Sequence, residues 1–123
     1  MRAVSGPLLF VVREVWHPPT DVYETDEELV VMLDLAAVSQ DDLEIAIEDN
    51  ILHVRGRRQE PFPSNKISVY RMEIPYGDFE AHIHLPVRIA RDEVQASYEN
   101  GLLAIRMPKE KTRRIAVRVE DSR

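Results

Sequence analysis

The chain of 123 residues has no cysteine at all. That excludes disulfides, thiolate nucleophiles and cysteine-ligated zinc, and it fits a reducing compartment. Only four glycines occur, and they lie far apart, so no glycine-rich loop is available to cradle a phosphate. Basic charge is also short: 16 Lys and Arg stand against 22 Asp and Glu, a net charge of −6. This argues against general binding to nucleic acid or to an anionic membrane surface. Long apolar runs are missing as well. The longest early one, Leu8-Leu9-Phe10-Val11-Val12, is closed by Arg13 and Glu14. It is too short for the apolar region of a signal peptide and far too short to span a bilayer. The expectation is a soluble, cytoplasmic protein.

No long 3.6-residue period, internal repeat or low-complexity segment is present, whereas period-two alternation recurs along the chain. Its centre is Ala96 to Lys109, with the alternation entering from Val94. Val94, Ala96 and Tyr98 point one way, Gln95, Ser97 and Glu99 the other. After Asn100-Gly101, Leu103, Ile105 and Met107 alternate with Ala104 and Arg106. Asn-Gly supplies the positive φ angles of a two-residue hairpin turn. Pro108 ends the second strand because it cannot donate to a ladder. A hairpin with one apolar face needs a second sheet to cover it.

Other stretches follow the same rule. Leu29 to Leu35 reads as a buried strand, with Asp21 to Glu24 a short strand before it. Leu43, Ile45 and Ile47 alternate with Glu44, Ala46 and Glu48, Asp49-Asn50 turns the chain, and Leu52, Val54 and Gly56 alternate in the hairpin partner. Phe79, Ala81, Ile83 and Leu85 alternate with Glu80, His82 and His84 until Pro86. Trp16, the only tryptophan, is expected to anchor the N-terminal arm to the core. About nine short strands with eight prolines and few glycines predict an all-β sandwich. The hydrophobic content of 44% supports one domain with arms.

Three stretches do not fit a self-contained sandwich. The arm 1–15 carries the cluster Leu8, Leu9, Phe10, Val11 and Val12, either an edge strand on its own domain or an exposed sticky segment. Arg57 to Asp78 is longer than the usual connection of about two to six residues and holds the strand-like run Ile67-Ser68-Val69-Tyr70-Arg71-Met72-Glu73-Ile74. It is either a lid or a strand added to a partner's sheet edge. Beyond the polar hinge 109–114, Ile115 and Val117 lie on one side of an extended segment: either a terminal strand on the chain's own sheet or a two-knob plug for a groove on another copy. Burying both would stabilise by about 3–5 kcal/mol, while ordering each linker residue costs about 1–2 kcal/mol. Single docks are therefore weak and reversible, and many in a closed assembly hold by multivalency.

Candidate chemistry is sparse. His82 and His84 share one strand face with His53 on the neighbouring strand, the residue type that suits zinc or copper. No fourth ligand is evident, and a solvated polar face is the expected reading, with no metal and no cofactor. The acidic pairs Glu27-Glu28, Asp41-Asp42 and Asp92-Glu93 sit in loops and at strand ends, and nothing places two carboxylates across a cleft. Catalysis is not expected.

Taken together, Trp16-His17-Pro18-Pro19-Thr20-Asp21-Val22-Tyr23-Glu24, Asp49-Asn50-Ile51-Leu52-His53-Val54-Arg55-Gly56, Tyr76-Gly77-Asp78-Phe79 and Ala96-Ser97-Tyr98-Glu99-Asn100-Gly101-Leu102-Leu103-Ala104-Ile105 with Met107-Pro108-Lys109 resemble a small heat-shock protein of bacterial or archaeal type. The resemblance covers residues 16–109 as an α-crystallin domain, with Ile115-Ala116-Val117 matching the family's C-terminal I-x-I/V anchor. It implies an immunoglobulin-like sandwich and an ATP-independent chaperone that holds unfolding client proteins. It implies a dimer in which the loop strand (Ile67, Val69, Tyr70, Arg71, Met72) swaps onto the partner's edge at Val22 and Tyr23, and a larger homo-oligomer. The anchor is implied to dock between edge strands, here Leu43, Ile45 and Ile47 on one side and Val94, Ala96 and Tyr98 on the other. The arm Leu8–Val12 is implied to bind clients. The sequence departs from the family in its short arm, in Ala37 where glycine is common, and in Ala81 where many members carry arginine. A co-chaperone adaptor of CS-domain type or a pure assembly subunit shares the sandwich, but CS-type adaptors lack the swapped loop and the anchor.

Overall fold

In the computed structural model, which describes residues 14–62, 65–111 and 116–121, seven strands form two antiparallel sheets. They are β1 (Thr20–Glu24), β2 (Glu28–Asp34), β3 (Glu44–Glu48), β4 (Ile51–Arg58), β5 (Gly77–His84), β6 (Gln95–Glu99) and β7 (Leu102–Pro108). One sheet has the order β1-β2-β7-β6 and the other β3-β4-β5. The period-two pattern explains the packing. Leu29, Val31 and Leu33 of β2, Leu103, Ile105 and Met107 of β7, and Leu52 and Val54 of β4 all point between the sheets and are buried with Phe79 and Leu85.

The turns are set by backbone chemistry. Asn100 and Gly101 both have positive φ, 53° and 79°, as a type I′ hairpin turn requires. Asp49 does the same at 54°, and Asn50 Nδ2 donates to the Leu85 carbonyl at 2.8 Å. Ala37 also sits in the left-handed region, at φ 60°. An alanine there carries a Cβ penalty that a glycine escapes, so this departure from the family pattern has a conformational cost of about 1–2 kcal/mol. Gly56 is needed for space: a Cβ there would lie 2.4 Å from Phe79 Cζ.

Trp16 does anchor the chain. It pairs with Phe79 as a parallel bridge, its ring lies 5.1 Å from that of Phe79, and its Nε1 donates to the Gly77 carbonyl at 3.2 Å. Arg58 lies over the indole, 4.3 Å from its centroid, and donates to the Pro75 and Ala36 carbonyls. Arg58 thus ties together the start of the fold, the β2–β3 connection and the exit of the long loop.

The strand count is lower than expected. Among the described residues, neither Ile67–Ile74 nor 116–120 forms a strand. Among the described residues neither segment has a ladder partner, and an extended run without one is not a strand.

Candidate functional site

The two sheets leave two open sides. Trp16 covers part of the free edge of β5: its N–H donates to Asp78 and its carbonyl accepts from Glu80, each at 3.1 Å. The chain then crosses directly into β1. The β5 and β1 edges therefore share one side of the sandwich, and β3 and β6 share the other.

On the β3/β6 side, Leu43, Ile45, Ile47, Val94 and Tyr98 pack against the core but are only half-buried. Ala96 stands opposite Ile105, on the inward face of its sheet, yet it is exposed. An inward-facing position open to solvent marks a groove. Ile45 and Ile47 lie on β3 and Ala96 and Tyr98 on β6, with Leu43 and Val94 immediately before these strands. Tyr98 props the groove from inside: its hydroxyl donates to the Leu35 carbonyl at 2.5 Å and accepts from Val38 N–H at 3.2 Å. Both strands are outermost in their sheets, so each presents unpaired backbone groups to an added chain.

On the β1 side, Val22 and Tyr23 lie on the outermost strand and are exposed. The loop run is also uncovered: Ile67 is 99% exposed and Tyr70 97%, with Val69 and Met72 each more than half exposed. The chain's own described residues thus leave these side chains largely uncovered. Among the described residues Arg71 pairs only with Glu73, at 3.8 Å. Phe62, 79% exposed, was not singled out by alternation because it falls between prolines, outside any period.

Val117 is 82% exposed; its expected partner knob Ile115 and the arm cluster Leu8–Val12 lie outside the described residues. The histidines divide. His53 stands opposite His82 across β4 and β5, rings 4.7 Å apart and edge-on, while His84 stands opposite Ile51. His53 Nδ1 is buried without a hydrogen-bond partner. Among the described residues no group of three or more His, Asp or Glu side chains could hold a metal ion. Ala81, where the family often has arginine, is half-buried opposite Val54. Among the described residues no helix is long and apolar enough to cross a membrane.

The described residues form a two-sheet β-sandwich module whose outermost strands β1, β3 and β6 leave apolar side chains partly open to solvent. Comparison with known proteins gives the module a family. Residues 21–120 match the model of the Hsp20/alpha crystallin family. Small heat shock protein C2 of Rickettsia felis is 36% identical over 82% of this chain and 68% of its own length. Small heat shock protein C4 of the same organism is 29% identical, and the match covers 59% of its length. Among solved structures, a small heat-shock protein from Xylella fastidiosa, described as having a distinct high order structure, superposes with a TM-score of 0.74 at 28% identity, over 88% of this chain and 100% of that one. The hspA of Xanthomonas axonopodis gives 0.71 at 30% identity, over 78% and 96%. The chain belongs to the Hsp20/alpha-crystallin family, the small heat shock proteins, which are non-enzymatic chaperones.

Proposed function

We propose that this protein is an ATP-independent holdase of the cytoplasm that binds unfolding proteins and prevents their aggregation. The observation that carries the reading is the apolar groove between β3 and β6, open along two unpaired strand edges. An unfolding client exposes apolar, extended chain, and such a groove takes it by hydrophobic burial and backbone pairing. The arm Leu8–Val12 supplies a second apolar surface.

Assembly controls access. The loop run Ile67–Met72 adds to the partner's β1 edge at Val22 and Tyr23, giving a dimer. Ile115 and Val117 of one subunit occupy the groove of another, giving a larger homo-oligomer. Heat favours release of the anchor because the freed chain gains conformational entropy, and release bares the groove for clients.

The test is light scattering from a heat-unfolding client without nucleotide, at rising ratios of this protein. Scattering that falls in proportion to added protein supports the reading. Unchanged scattering removes client binding and leaves an assembly subunit. Replacing both Ile115 and Val117 by Ala is expected to give smaller oligomers by size-exclusion chromatography with light scattering; unchanged mass would sink the anchor.

A further inference from the structure

The groove is apolar inside and acidic around. Residues 39–50, which enter and form β3, carry five acidic side chains (Asp41, Asp42, Glu44, Glu48, Asp49) and no basic one. Residues 92–99, which enter and form β6, carry Asp92, Glu93 and Glu99 and again no basic one. All eight are exposed, and among the described residues none is in an ion pair. Arg55, directly opposite Glu44, does not pair with it. Arg91 turns its guanidinium to the Asp49 carbonyl instead. The eight carboxylates outnumber these two arginines, so the rim stays net negative.

The C-terminal extension has the opposite sign. Residues 109–118 hold Lys109, Lys111, Arg113, Arg114 and Arg118 against the one acid Glu110, and Glu120, Asp121 and Arg123 follow, so the extension is net positive. Lys109 is held at the root of the extension by Glu24, at 2.5 Å. Lys111, Arg113, Arg114 and Arg118 flank Ile115 and Val117. A net charge of −6 should make copies of this chain repel one another. Segregating the bases onto the segment that must reach a second copy reverses that repulsion locally.

Taking the anchor reading above as given, we propose that charge complementarity between the basic extension of one copy and the acidic rim of another copy's groove drives docking and makes assembly salt-sensitive. The apolar knobs fix the register, and the charges set how fast and how often the dock forms. Screening is the control. The Debye length falls from about 10 Å at 0.1 M ionic strength to about 3 Å at 1 M. Rising ionic strength therefore frees grooves without heat. The same signs select partners, since a subunit with a basic rim would reject this extension.

The experiment measures the mass of the full chain by size-exclusion chromatography with light scattering, at ionic strengths of about 0.05 M and about 0.5 M. The wild type is expected to shift severalfold toward small species at the higher salt. Arg113→Glu, Arg114→Glu and Arg118→Glu together should give small species at low salt. So should Glu44→Lys, Glu48→Lys and Glu99→Lys together, with circular dichroism confirming the fold. Combining both sets should restore the large assembly, an outcome that misfolding cannot produce. If the charge variants keep their mass while Ile115→Ala with Val117→Ala loses it, the charge inference is overturned and the anchor stands. Failure of the combined set to restore mass also overturns it. If the Ala pair keeps its mass, the anchor reading falls and this inference falls with it.

Discussion

In the hairpin 94–108, Leu103, Ile105 and Met107 are 2%, 0% and 0% exposed; in the loop run 67–74, Ile67 and Tyr70 are 99% and 97% exposed. Both stretches are rich in β-formers, and both show apolar residues two apart. The difference is the neighbour. Asn100-Gly101 folds β6 back onto β7 within two residues, so each strand brings its own partner. The loop run has Phe62 and prolines on one side and Pro75-Tyr76 on the other, and Arg58 pins its exit by two hydrogen bonds to the Pro75 carbonyl. Among the described residues of this loop no hairpin turn pairs the run with a neighbouring strand. Propensity alone makes a segment ready for a sheet, and only an adjacent edge makes it a strand.

The largest way to probe this contrast lies in the hairpin. Ile105 touches the core from the centre of β7 and is fully buried. Ile105→Ala is expected to destabilise the folded subunit by about 2–5 kcal/mol, through lost burial plus the cavity left behind. Urea unfolding followed by tryptophan fluorescence checks it. A loss well under 1 kcal/mol would mean that β7 is not the spine of the core.

A smaller effect is expected at the turn that gives the hairpin its partner. Gly101 has φ 79°, and a Cβ added there would meet Ala36 Cα at 3.0 Å. Gly101→Ala should therefore cost about 1–2 kcal/mol from the left-handed conformation, before any crowding is counted. The same unfolding curve reads it. A neutral result would show that the turn can be rebuilt, and that the local partner is not what separates the two stretches.

These residues also show which parts of the molecule were legible in the sequence. Alternation marked β3, β4, β5 and the β6–β7 hairpin, because a sheet with one buried face imposes period two on its side chains. Alternation also put Ile45, Ile47 and Tyr98 on the inward faces of their strands, whereas the groove between those strands was implied by the family resemblance and not by the period. Which inward positions stay uncovered was not legible. Ala96 reads like any inward alanine, and its exposure depends on β6 being outermost. The knot at Arg58 was hidden too, since it joins Trp16, Ala36 and Pro75, residues with no common sequence period. In the sequence Ala37 shows only as an alanine where the family commonly has glycine, and its φ of 60° makes it a strained position.

The smallest effect is expected at Tyr70, and it sharpens the contrast most. With 97% of its surface exposed, the side chain contributes almost nothing to the single subunit, and Tyr70→Ser should change that subunit's stability by less than about 0.5 kcal/mol. If the loop run completes a partner's sheet, the same substitution acts only where two copies meet. Its effect must then grow with protein concentration, because a dimer's stability depends on protomer concentration by mass action. Unfolding curves of wild type and Tyr70→Ser should coincide in dilute solution and separate as concentration rises, with sedimentation velocity showing fewer dimers for the variant. Curves that coincide at every concentration would mean that Tyr70 meets no partner, leaving the β1 edge at Val22 and Tyr23 to pair with something other than this loop.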